Sequence, residues 1–317
     1  MTAIDDVLFL IRTVGERTTE PLVDSLHKMG VNEDAIEIVR EAPFTEALKK
    51  SCDIALKRNF RYCLMFDADF LPRSSFLELL SQAKIQMNPH VFRYQFSALD
   101  KFTGRLRCIG PKLYRTSDLG QLRDNIPDEH SLRPETDAML ELIKLKKIAI
   151  MGHQLSGVHD YEQDTFTIYR TCFIYAKKRL HDSSKILELI HKYKETDYDF
   201  VVAGKGFLDG LFSDDLVTVN ADDAGLIHKY KSHKFVEKEP PNIKTNFLQI
   251  VDKIIQEKST NVITLNDLYA FGDCNKLVDL RYYYQILPIY KFIFLQLSIF
   301  LERLSMFIRR KLRIYGQ

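Results

Sequence analysis

The sequence predicts an α/β fold in which parallel strands are covered by helices. Short apolar runs alternate with segments of helical periodicity, and turn residues separate them. The predicted strands are residues 6–12, 35–39 and 62–66, and the predicted helices are residues 21–30 and 44–59. A sheet of this kind binds ligands at the carboxyl ends of its strands, so the functional residues are expected there.

The pattern changes beyond residue 72. A helix is predicted at 73–85, and the runs at 91–96 and 104–116 are typical of strands in a mixed or antiparallel extension of the sheet. Residues 161–195 are mostly helical in pattern, and residues 231–245 form a polar, proline-containing connection. The stretch GHQLSGVHD, which ends at Asp160, is expected to be a polar loop, with Asp160 capping a helix that begins at Tyr161.

Composition excludes several classes of protein. The chain has 317 residues, 28% of them charged, and its formal net charge of +2 argues against nucleic acid as a partner. The five cysteines are scattered without a CxxC pair, which indicates free thiols rather than zinc or redox sites. The start MTAIDDVLFLIR lacks the positive charge and long apolar core of a signal peptide, so we expect a cytoplasmic location.

The motif that carries most chemistry is RYCLMFDADFLP, in which an apolar strand ends in Asp67 and Asp69. Two carboxylates one residue apart on a turn can hold a hard divalent cation, which in turn neutralises a diphosphate. An Asp-x-Asp pair also occurs by chance in loops. Its position after the third strand of a βαβαβ run favours the functional interpretation.

With this motif, residues 4–175 resemble the GT-A glycosyltransferases and are similar to the bacterial family 2-like members. The resemblance implies a GT-A catalytic domain at 1–177 with a central mixed sheet, a helical region at 178–280, and a separate amphipathic helix at 281–317. It also implies that the acids bind Mn²⁺ or Mg²⁺ and the nucleotide-sugar donor. Asp69 is then a metal ligand, and Asp67 lies between the metal and the nucleotide sugar.

The same resemblance suggests donor contacts from the loops after the first two strands. Thr13 and Arg17 follow the first strand, where relatives place a short polar segment that touches the nucleotide. Arg17 can equally be a solvated turn residue, since a single glycine makes this no phosphate-binding P-loop. After the second strand the sequence is VREAPF rather than a DDGS-like run, so Glu41 replaces the usual acid. The identity of the nucleotide base stays open.

A candidate catalytic base lies at the start of the helix RPETDAML. Glu135 and Asp137 both fall in its first turn, and inverting members of the family place an acidic base at such a helix start. A carboxylate there could take the proton of the acceptor hydroxyl, with Asp137 slightly favoured. The alternative is that both acids only stabilise the helix dipole.

His159 is the candidate third metal ligand, ahead of His153. A neutral imidazole can complete the coordination of a divalent ion, and relatives place such a ligand after the acceptor-site helix. A lone histidine in a loop is more often a surface or capping group.

The carboxyl-terminal residues 281–317 are rich in apolar and aromatic residues and end in the basic run RRKLR. The polar residues Lys291, Ser298, Glu302, Ser305 and Arg309 share one helical face. Charges and Pro288 argue against a spanning helix, whereas a membrane interface would suit the apolar face and basic end. Packing on the catalytic domain or in a homodimer explains the same pattern.

Together these observations predict a metal-dependent glycosyltransferase acting in surface polysaccharide biosynthesis at the inner face of the cytoplasmic membrane. It would transfer a sugar from a nucleotide-sugar donor to a glycan or lipid-linked glycan acceptor, with inversion at the anomeric carbon. The alternative is a non-catalytic scaffold of the same fold in a polysaccharide-assembly complex.

Overall fold

The computed structural model describes residues 4–127, 131, 133–178, 183–213, 224–239 and 245–259, together with residues 297, 300 and 301. The strands are β1 (Val7–Thr13), β2 (Ile36–Arg40), β3 (Tyr62–Asp67), β4 (Phe70–Pro72), β5 (Val91–Asp100), β6 (Arg105–Arg107), β7 (Lys112–Arg115) and β8 (Ile148–His159). The helices are α1 (Thr19–Lys28), α2 (Phe44–Arg58), α3 (Phe76–Gln86), α4 (Leu119–Asp124), α5 (Pro134–Lys144), α6 (Thr165–Lys178), α7 (Ser183–Tyr193), α8 (Tyr198–Phe212), α9 (Ala224–Ser232) and α10 (Phe247–Ser259). The predicted α/β class is confirmed.

The strands form one mixed sheet in the order β2-β1-β3-β7-β5-β8-β4, with β6 paired to the far end of β5. The first three neighbours β2, β1 and β3 are parallel, β7 is antiparallel to both β3 and β5, and β5 and β8 are parallel. The carboxyl ends of β1, β3, β5 and β8 therefore meet at one edge of the sheet. This mixed, partly antiparallel extension is what the sequence predicts beyond residue 72.

Both faces of the sheet are covered, which is why its central strands are continuous apolar runs. All seven residues of β1 are buried. Because side chains alternate along a strand, Phe9 and Leu64 pack into one core layer, and Leu10 and Met65 pack into the other. Helices α1, α3 and α10 cover the first layer, and helices α2, α4 and α5 cover the second.

The predicted polar loop GHQLSGVHD is wrong, because residues 152–159 belong to β8 and only Asp160 follows the strand. Their polarity reflects an open sheet edge: His153 and Gln154 are exposed, since β4 pairs only with residues 157–159 of this strand. Gly157 is required by close approach, because a Cβ atom there would lie 2.2 Å from the carbonyl oxygen of Leu71. Because glycine and polar residues are also typical of loops, this part of the strand has a loop-like sequence.

The predicted capping role of Asp160 is also wrong. Helix α6 begins at Thr165, and the carboxylate of Asp164 accepts hydrogen bonds from the backbone N–H of Thr167 at 2.7 Å and from its hydroxyl at 2.8 Å. Asp160 instead follows β8 directly with a positive φ of 63°, and its N–H donates to the carbonyl oxygen of Asp69 at 3.1 Å. This turn directs the Asp160 side chain toward the site.

A third apolar cluster joins helices α6 to α9. Helix α10, by contrast, packs on the sheet through Phe247, Val251 and Ile255. The domain limits at 177 and 280 stay predictions. Apart from residues 297, 300 and 301, the predicted amphipathic helix at 281–317 lies outside the described residues. Within the described ranges, no helix combines the length and apolar character needed to cross a bilayer.

We predict that Gly206→Ala destabilises the protein by about 1–3 kcal/mol, as overpacking of a tight contact does. A Cβ atom on Gly206 in α8 would lie 2.2 Å from the carbonyl oxygen of Tyr169 in α6, and the backbone cannot move aside as a flexible side chain would. Urea unfolding measures the loss. Gly120→Ala in α4 is the control, because nothing lies within 4 Å of the added methyl group; it should be neutral or gain up to about 1 kcal/mol. Equal effects of the two substitutions would contradict the close α6–α8 contact.

Candidate active site

The site lies at the sheet edge where four strands end. Register pairs Arg12 of β1 with Asp67 of β3, and Asp100 of β5 with His159 of β8. Antiparallel β7 begins at the same edge, so that Lys112 is its first residue. Charged side chains from distant parts of the sequence are thereby brought together, as the sheet polarity predicts.

The Asp-x-Asp turn is held by backbone contacts on both sides. The N–H of Ala68 donates to the carbonyl oxygen of Arg12 at 3.0 Å, and the hydroxyl of Thr18 donates to the carbonyl oxygen of Ala68 at 2.5 Å. Ala68 itself is buried. The carboxylates of Asp67 and Asp69 have different surroundings: Asp67 faces the cations of the sheet, and Asp69 faces the end of β8.

Asp67, whose side chain is 30% exposed, belongs to a charge network with the buried Arg12, Lys112 and Glu135. Arg12 Nη2 lies 2.7 Å from Asp67 Oδ1, and Lys112 Nζ lies 3.1 Å from Asp67 Oδ2 and 2.9 Å from Glu135 Oε2. Tyr114 donates its hydroxyl to Glu135 Oε1 at 2.7 Å. Both carboxylates are therefore fully engaged.

Opposing effects act on the pKa of each carboxylate in the network. Burial alone would raise the pKa of Asp67, but Arg12 and Lys112 outweigh burial and hold it below its usual value. Burial acts in the same sense on the pKa of Glu135, which Lys112 and Arg12 lower well below its ordinary range. Both groups are thus ionised at neutral pH.

Asp69, His159 and Asp160 form the candidate metal site. Among the described residues, these three side chains offer ligand atoms that all lie within 4.8 Å of one another. His159 Nε2 lies 3.3 Å from Asp69 Oδ1, and His159 Nδ1 lies 2.9 Å from Asp160 Oδ2. Asp160 is thus placed to orient the ring and leave Nε2 beside Asp69, an arrangement typical of metal-ligating histidines.

Burial and mutual attraction shift the pKa values of Asp69 and His159 in this cluster. Burial raises the pKa of Asp69 to about 7, with Asp160 and Asp67 adding to the rise and His159 opposing it. Burial alone would lower the pKa of His159, but Asp160 and Asp69 raise it to about 10. Asp69 Oδ1 is buried without a hydrogen-bond partner. A divalent cation between Asp69 and His159 would satisfy this oxygen, so these residues fit the predicted metal.

A first cleft of about 270 Å³ opens beside the cluster. The predicted residues Thr13, Glu41, Asp67, Asp69 and His159 all line it. Helix α6 supplies the opposite wall, with Arg170 and Lys178 as its cations. The structure therefore brings most of the predicted donor and metal residues into one cleft.

Arg17 does not line the first cleft. Its guanidinium lies 3.1 Å from Glu162 Oε1 and donates to the carbonyl oxygens of Lys238 and Glu239. Arg17 thus ties the loop after β1 to the segment after α9. The hydroxyl of Thr13 donates to Glu16 Oε2 at 2.6 Å, so it also shapes this loop from within the cleft.

A second cleft of about 420 Å³ adjoins the first. The two clefts share the side chains of Phe44, Asp67, His159, Tyr175 and Lys178. Glu135 lines the second cleft, but Asp137 does not: it is exposed, and its carboxylate accepts a hydrogen bond from the hydroxyl of Ser131. Of the two predicted bases, Glu135 is the one beside the cleft.

Sequence reasoning missed Arg12 and Lys112. The signal for Arg12 was a charge inside an otherwise apolar strand, because a buried charge requires a partner. Lys112 left no such signal, since its partners Asp67 and Glu135 are distant in sequence and β7 itself is short. Asp160 was noticed but assigned a capping role.

No protein-family model and no curated protein matches the chain. Among solved structures, it is similar to the mannosyltransferase PcManGT from Pyrobaculum calidifontis in complex with GDP-Man and Mn²⁺, at 10% identity over 84% of this chain and 87% of that chain, with a TM-score of 0.36. It is also similar to a glycosyltransferase involved in glycosylation of the major capsid of PBCV-1, at 14% identity over 46% and 81% of the chains and a TM-score of 0.33. A cytidylyltransferase from Leptospira borgpetersenii matches at 15% identity over 61% and 95% of the chains, with a TM-score of 0.34. Similarity at this level transfers no donor, metal or activity to the chain.

We predict that Arg12→Met destabilises the protein by about 3–5 kcal/mol at pH 7, because Asp67 and Glu135 lose a cation that offsets their burial. Arg58→Met is the matched control, since Arg58 makes a partly exposed pair with Glu37 at 3.2 Å and should cost at most about 1 kcal/mol. Urea unfolding of both variants measures the difference.

The cost of Arg12→Met should shrink as the pH falls. Since the pKa values of Asp67 and Glu135 are depressed in the folded protein, their contribution to stability is present above their ordinary pKa values of about 4 and is lost as the pH falls below them. Unfolding at pH 7, 4 and 3 tests this, because the loss falls below about pH 4. A cost that does not change with pH would show that the network does not hold these carboxylates ionised.

Proposed function

We propose that this chain is a glycosyltransferase that uses a divalent cation and a nucleotide-sugar donor. The observation that supports this most is the cluster of Asp69 and His159, oriented by Asp160, at the junction of two adjoining clefts. A group-transfer enzyme needs two substrate sites that meet at the reacting atoms. The first cleft would hold the donor, and the second would hold the acceptor.

Asp69 and His159 Nε2 would hold the cation, and Asp160 would fix the histidine ring. When bound, the cation supplies positive charge against the diphosphate as that group leaves. Carboxylate oxygen suits both Mg²⁺ and Mn²⁺, whereas the imidazole nitrogen favours Mn²⁺, because Mg²⁺ strongly prefers oxygen ligands. In the first cleft, Arg170 and Lys178 would face the phosphates and the loop at Thr13 would contact the nucleoside.

Asp67 has a different role in this proposal from that of a metal ligand. Its two oxygens are bound by Arg12 and Lys112, and it lies on the wall between the clefts. From there it would face the donor sugar, as the resemblance implies. Glu41 lies at the other side of the donor cleft, where it pairs with Lys50 at 2.9 Å.

We predict that Asp69→Asn weakens Mn²⁺ binding at least about tenfold and abolishes sugar transfer, because it removes the charge of a ligand. Asp160→Asn should weaken Mn²⁺ binding by about 10–100-fold, the usual effect of losing the group that orients a ligand. Asp53→Asn, a surface acid paired with Arg123 at 2.6 Å, is the control and should bind Mn²⁺ like the wild type. Electron paramagnetic resonance of free Mn²⁺ measures affinity.

The activity itself is tested by thermal unfolding of the full chain with UDP-, GDP-, CDP- and dTDP-sugars, with and without Mn²⁺. At a hundredfold excess over Kd, a bound donor adds about 2.7 kcal/mol to the stability. Donor hydrolysis is followed in the same samples. Mn²⁺-dependent stabilisation with hydrolysis supports the enzyme, whereas stabilisation by none of the donors would favour the non-catalytic scaffold.

An inverting course requires a base near the acceptor hydroxyl, and we propose Glu135 for this role because it lines the second cleft. Its low pKa keeps it ionised, as a base must be, although a carboxylate of such low pKa accepts a proton weakly. Approach of an acceptor hydroxyl would have to displace the hydroxyl of Tyr114 or the amine of Lys112 from Glu135.

We predict that Glu135→Gln lowers kcat by about 10²–10⁴ with little change in donor binding. Asp137→Asn is the matched control: it should retain kcat, because Asp137 points to Ser131 outside both clefts. Single-turnover kinetics and donor affinity are measured for both. A large loss of kcat in Asp137→Asn together with a normal kcat in Glu135→Gln would reverse the assignment of the base. A normal kcat in both variants would argue for a retaining course.

We further propose that the enzyme acts in the cytoplasm on a glycan or lipid-linked glycan acceptor of a surface polysaccharide, attached peripherally to the cytoplasmic membrane through residues 281–317. The apolar face and basic end of that segment support attachment. We predict that the intact chain cosediments with anionic vesicles and that deletion of 281–317 abolishes this. If deletion instead converts a dimer to a monomer and the intact chain ignores vesicles, the segment is a homodimer contact.

A further inference from the structure

The second cleft has an excess of positive charge. Its carboxylates are Asp67 and Glu135, and its cations are Arg93, Arg107, Lys112, Arg133 and Lys178. Lys112 pairs with both carboxylates, and Arg12 lies behind them as a second cation. Lys112 and Arg12 are thus the main counter-charges of the two carboxylates, Arg93 attracts Glu135 more weakly, and Arg107 pairs with Asp100.

Arg93 is a buried cation whose hydrogen bonds are incomplete. It is 3% exposed, and one terminal nitrogen, Nη2, donates to the side-chain oxygen of Gln95. Its Nε and Nη1 atoms are buried with no hydrogen-bond partner. A buried donor left unpaired is destabilising, and more so when it is charged, so a group that satisfies these nitrogens would bind favourably. Arg93 nevertheless lines the cleft.

Arg133 lies at the rim of the same cleft, directly before α5. Its Nη2 donates to the backbone carbonyl oxygen of Lys178 at 3.1 Å. Within the described ranges, neither Arg133 nor Arg93 has a carboxylate at ion-pair distance. The amino end of α5, whose residues Pro134, Glu135 and Thr136 also line the cleft, adds a further positive partial charge.

Neither arginine lines the first cleft, so the donor diphosphate does not account for them. Met139 and Met151 supply an apolar wall between the charged groups, as a sugar ring requires on one of its faces. Guanidinium groups bind carboxylate and phosphate through paired N–H donors, and thus prefer oxyanions to neutral hydroxyls.

We infer that the second cleft binds an acceptor carrying an oxyanion, a carboxylate or a phosphate, recognised by Arg93 and Arg133. This inference rests on the proposed function in that it treats the second cleft as the acceptor site. The anion would be bound between the buried guanidinium of Arg93 and the exposed one of Arg133, at the start of α5. The acceptor is therefore an acidic sugar or a sugar that bears a phosphate.

The test compares three probes that share a phenyl group: phenyl β-D-glucuronide, phenyl phosphate and the neutral phenyl β-D-glucoside. Binding to the full chain with Mn²⁺ is measured by ligand-observed NMR at low salt. At least one charged probe should bind about tenfold or more tightly than the glucoside, since hydrogen bonds between charged groups are stronger than those to neutral hydroxyls. Preference for the glucuronide indicates an acidic sugar, and preference for phenyl phosphate indicates a phosphorylated one.

Arg133→Gln and Arg93→Gln should each reduce the preference for the charged probe about tenfold. Arg61→Gln, in the groove at the opposite edge of the sheet, should leave it unchanged. If Arg93→Gln fails to fold, Arg133→Gln decides alone, because Arg133 is exposed. Equal binding of all three probes, or a preference that survives Arg133→Gln, would overturn the inference.

The failure of this inference is distinguishable from failure of the proposed function, because donor binding is measured separately in the same preparation. Mn²⁺-dependent binding of a nucleotide sugar without preference for an anionic probe would leave a glycosyltransferase with a neutral acceptor. Preference for an anionic probe without any donor binding would leave an anion site in a protein that is not a glycosyltransferase.

Discussion

The ion pair between Arg12 and Asp67 is the interaction on which the site depends. It joins β1 to β3 at the sheet edge, where their parallel register places the two residues side by side. Removing Asp67 would leave the buried guanidinium of Arg12 with only Glu135, 3.6 Å away, as a counter-charge, which costs more than the pair itself contributes. Because Asp67 is held in this way, its neighbour Asp69 is the carboxylate of the turn that faces outward to His159.

The mixed sheet extends this arrangement in both directions. Antiparallel β7 places Lys112 between Asp67 and Glu135, where its amine pairs with both carboxylates. Strands β5 and β8 bring Asp100 and His159 to the same edge. Tyr175 of α6 then donates to Asp100 at 2.8 Å and lies 3.4 Å from Asp160. The helical part of the chain is thereby connected through hydrogen bonds to the cluster of Asp69, His159 and Asp160, so its packing helps to position these side chains.

Much of this was predictable from sequence where local patterns carry the information. The apolar run ending at Asp67 predicted that the Asp-x-Asp motif lies at a strand end. The sequence PETD predicted that Glu135 lies in the first turn of a helix, which is α5. The sequence slightly favoured Asp137 over Glu135, whereas Glu135 is the acid that lines the second cleft, because that choice depends on how α5 rotates against the sheet. His159 was predicted as a ligand, although the strand that carries it resembled a loop because His153 and Gln154 lie at an open edge that β4 does not cover.

Other features depended on contacts that no local pattern reveals. The carboxylate of Asp67 is occupied by Lys112, which lies 45 residues further along the chain and arrives through a four-residue strand. Arg17 follows β1 in sequence but turns to the segment around Lys238, 221 residues away. Side-chain identity was visible in each case, but the partner was fixed only by the tertiary fold.

The wall shared by the two clefts has a thermodynamic consequence. Phe44, Asp67, His159, Tyr175 and Lys178 border both clefts, so an occupant of one cleft restricts the same side chains that the other occupant must meet. The two binding equilibria are then linked, and any factor by which the first occupant changes the affinity for the second must act equally in the reverse direction. Cooperativity between the two ligands would therefore arise from these five shared side chains.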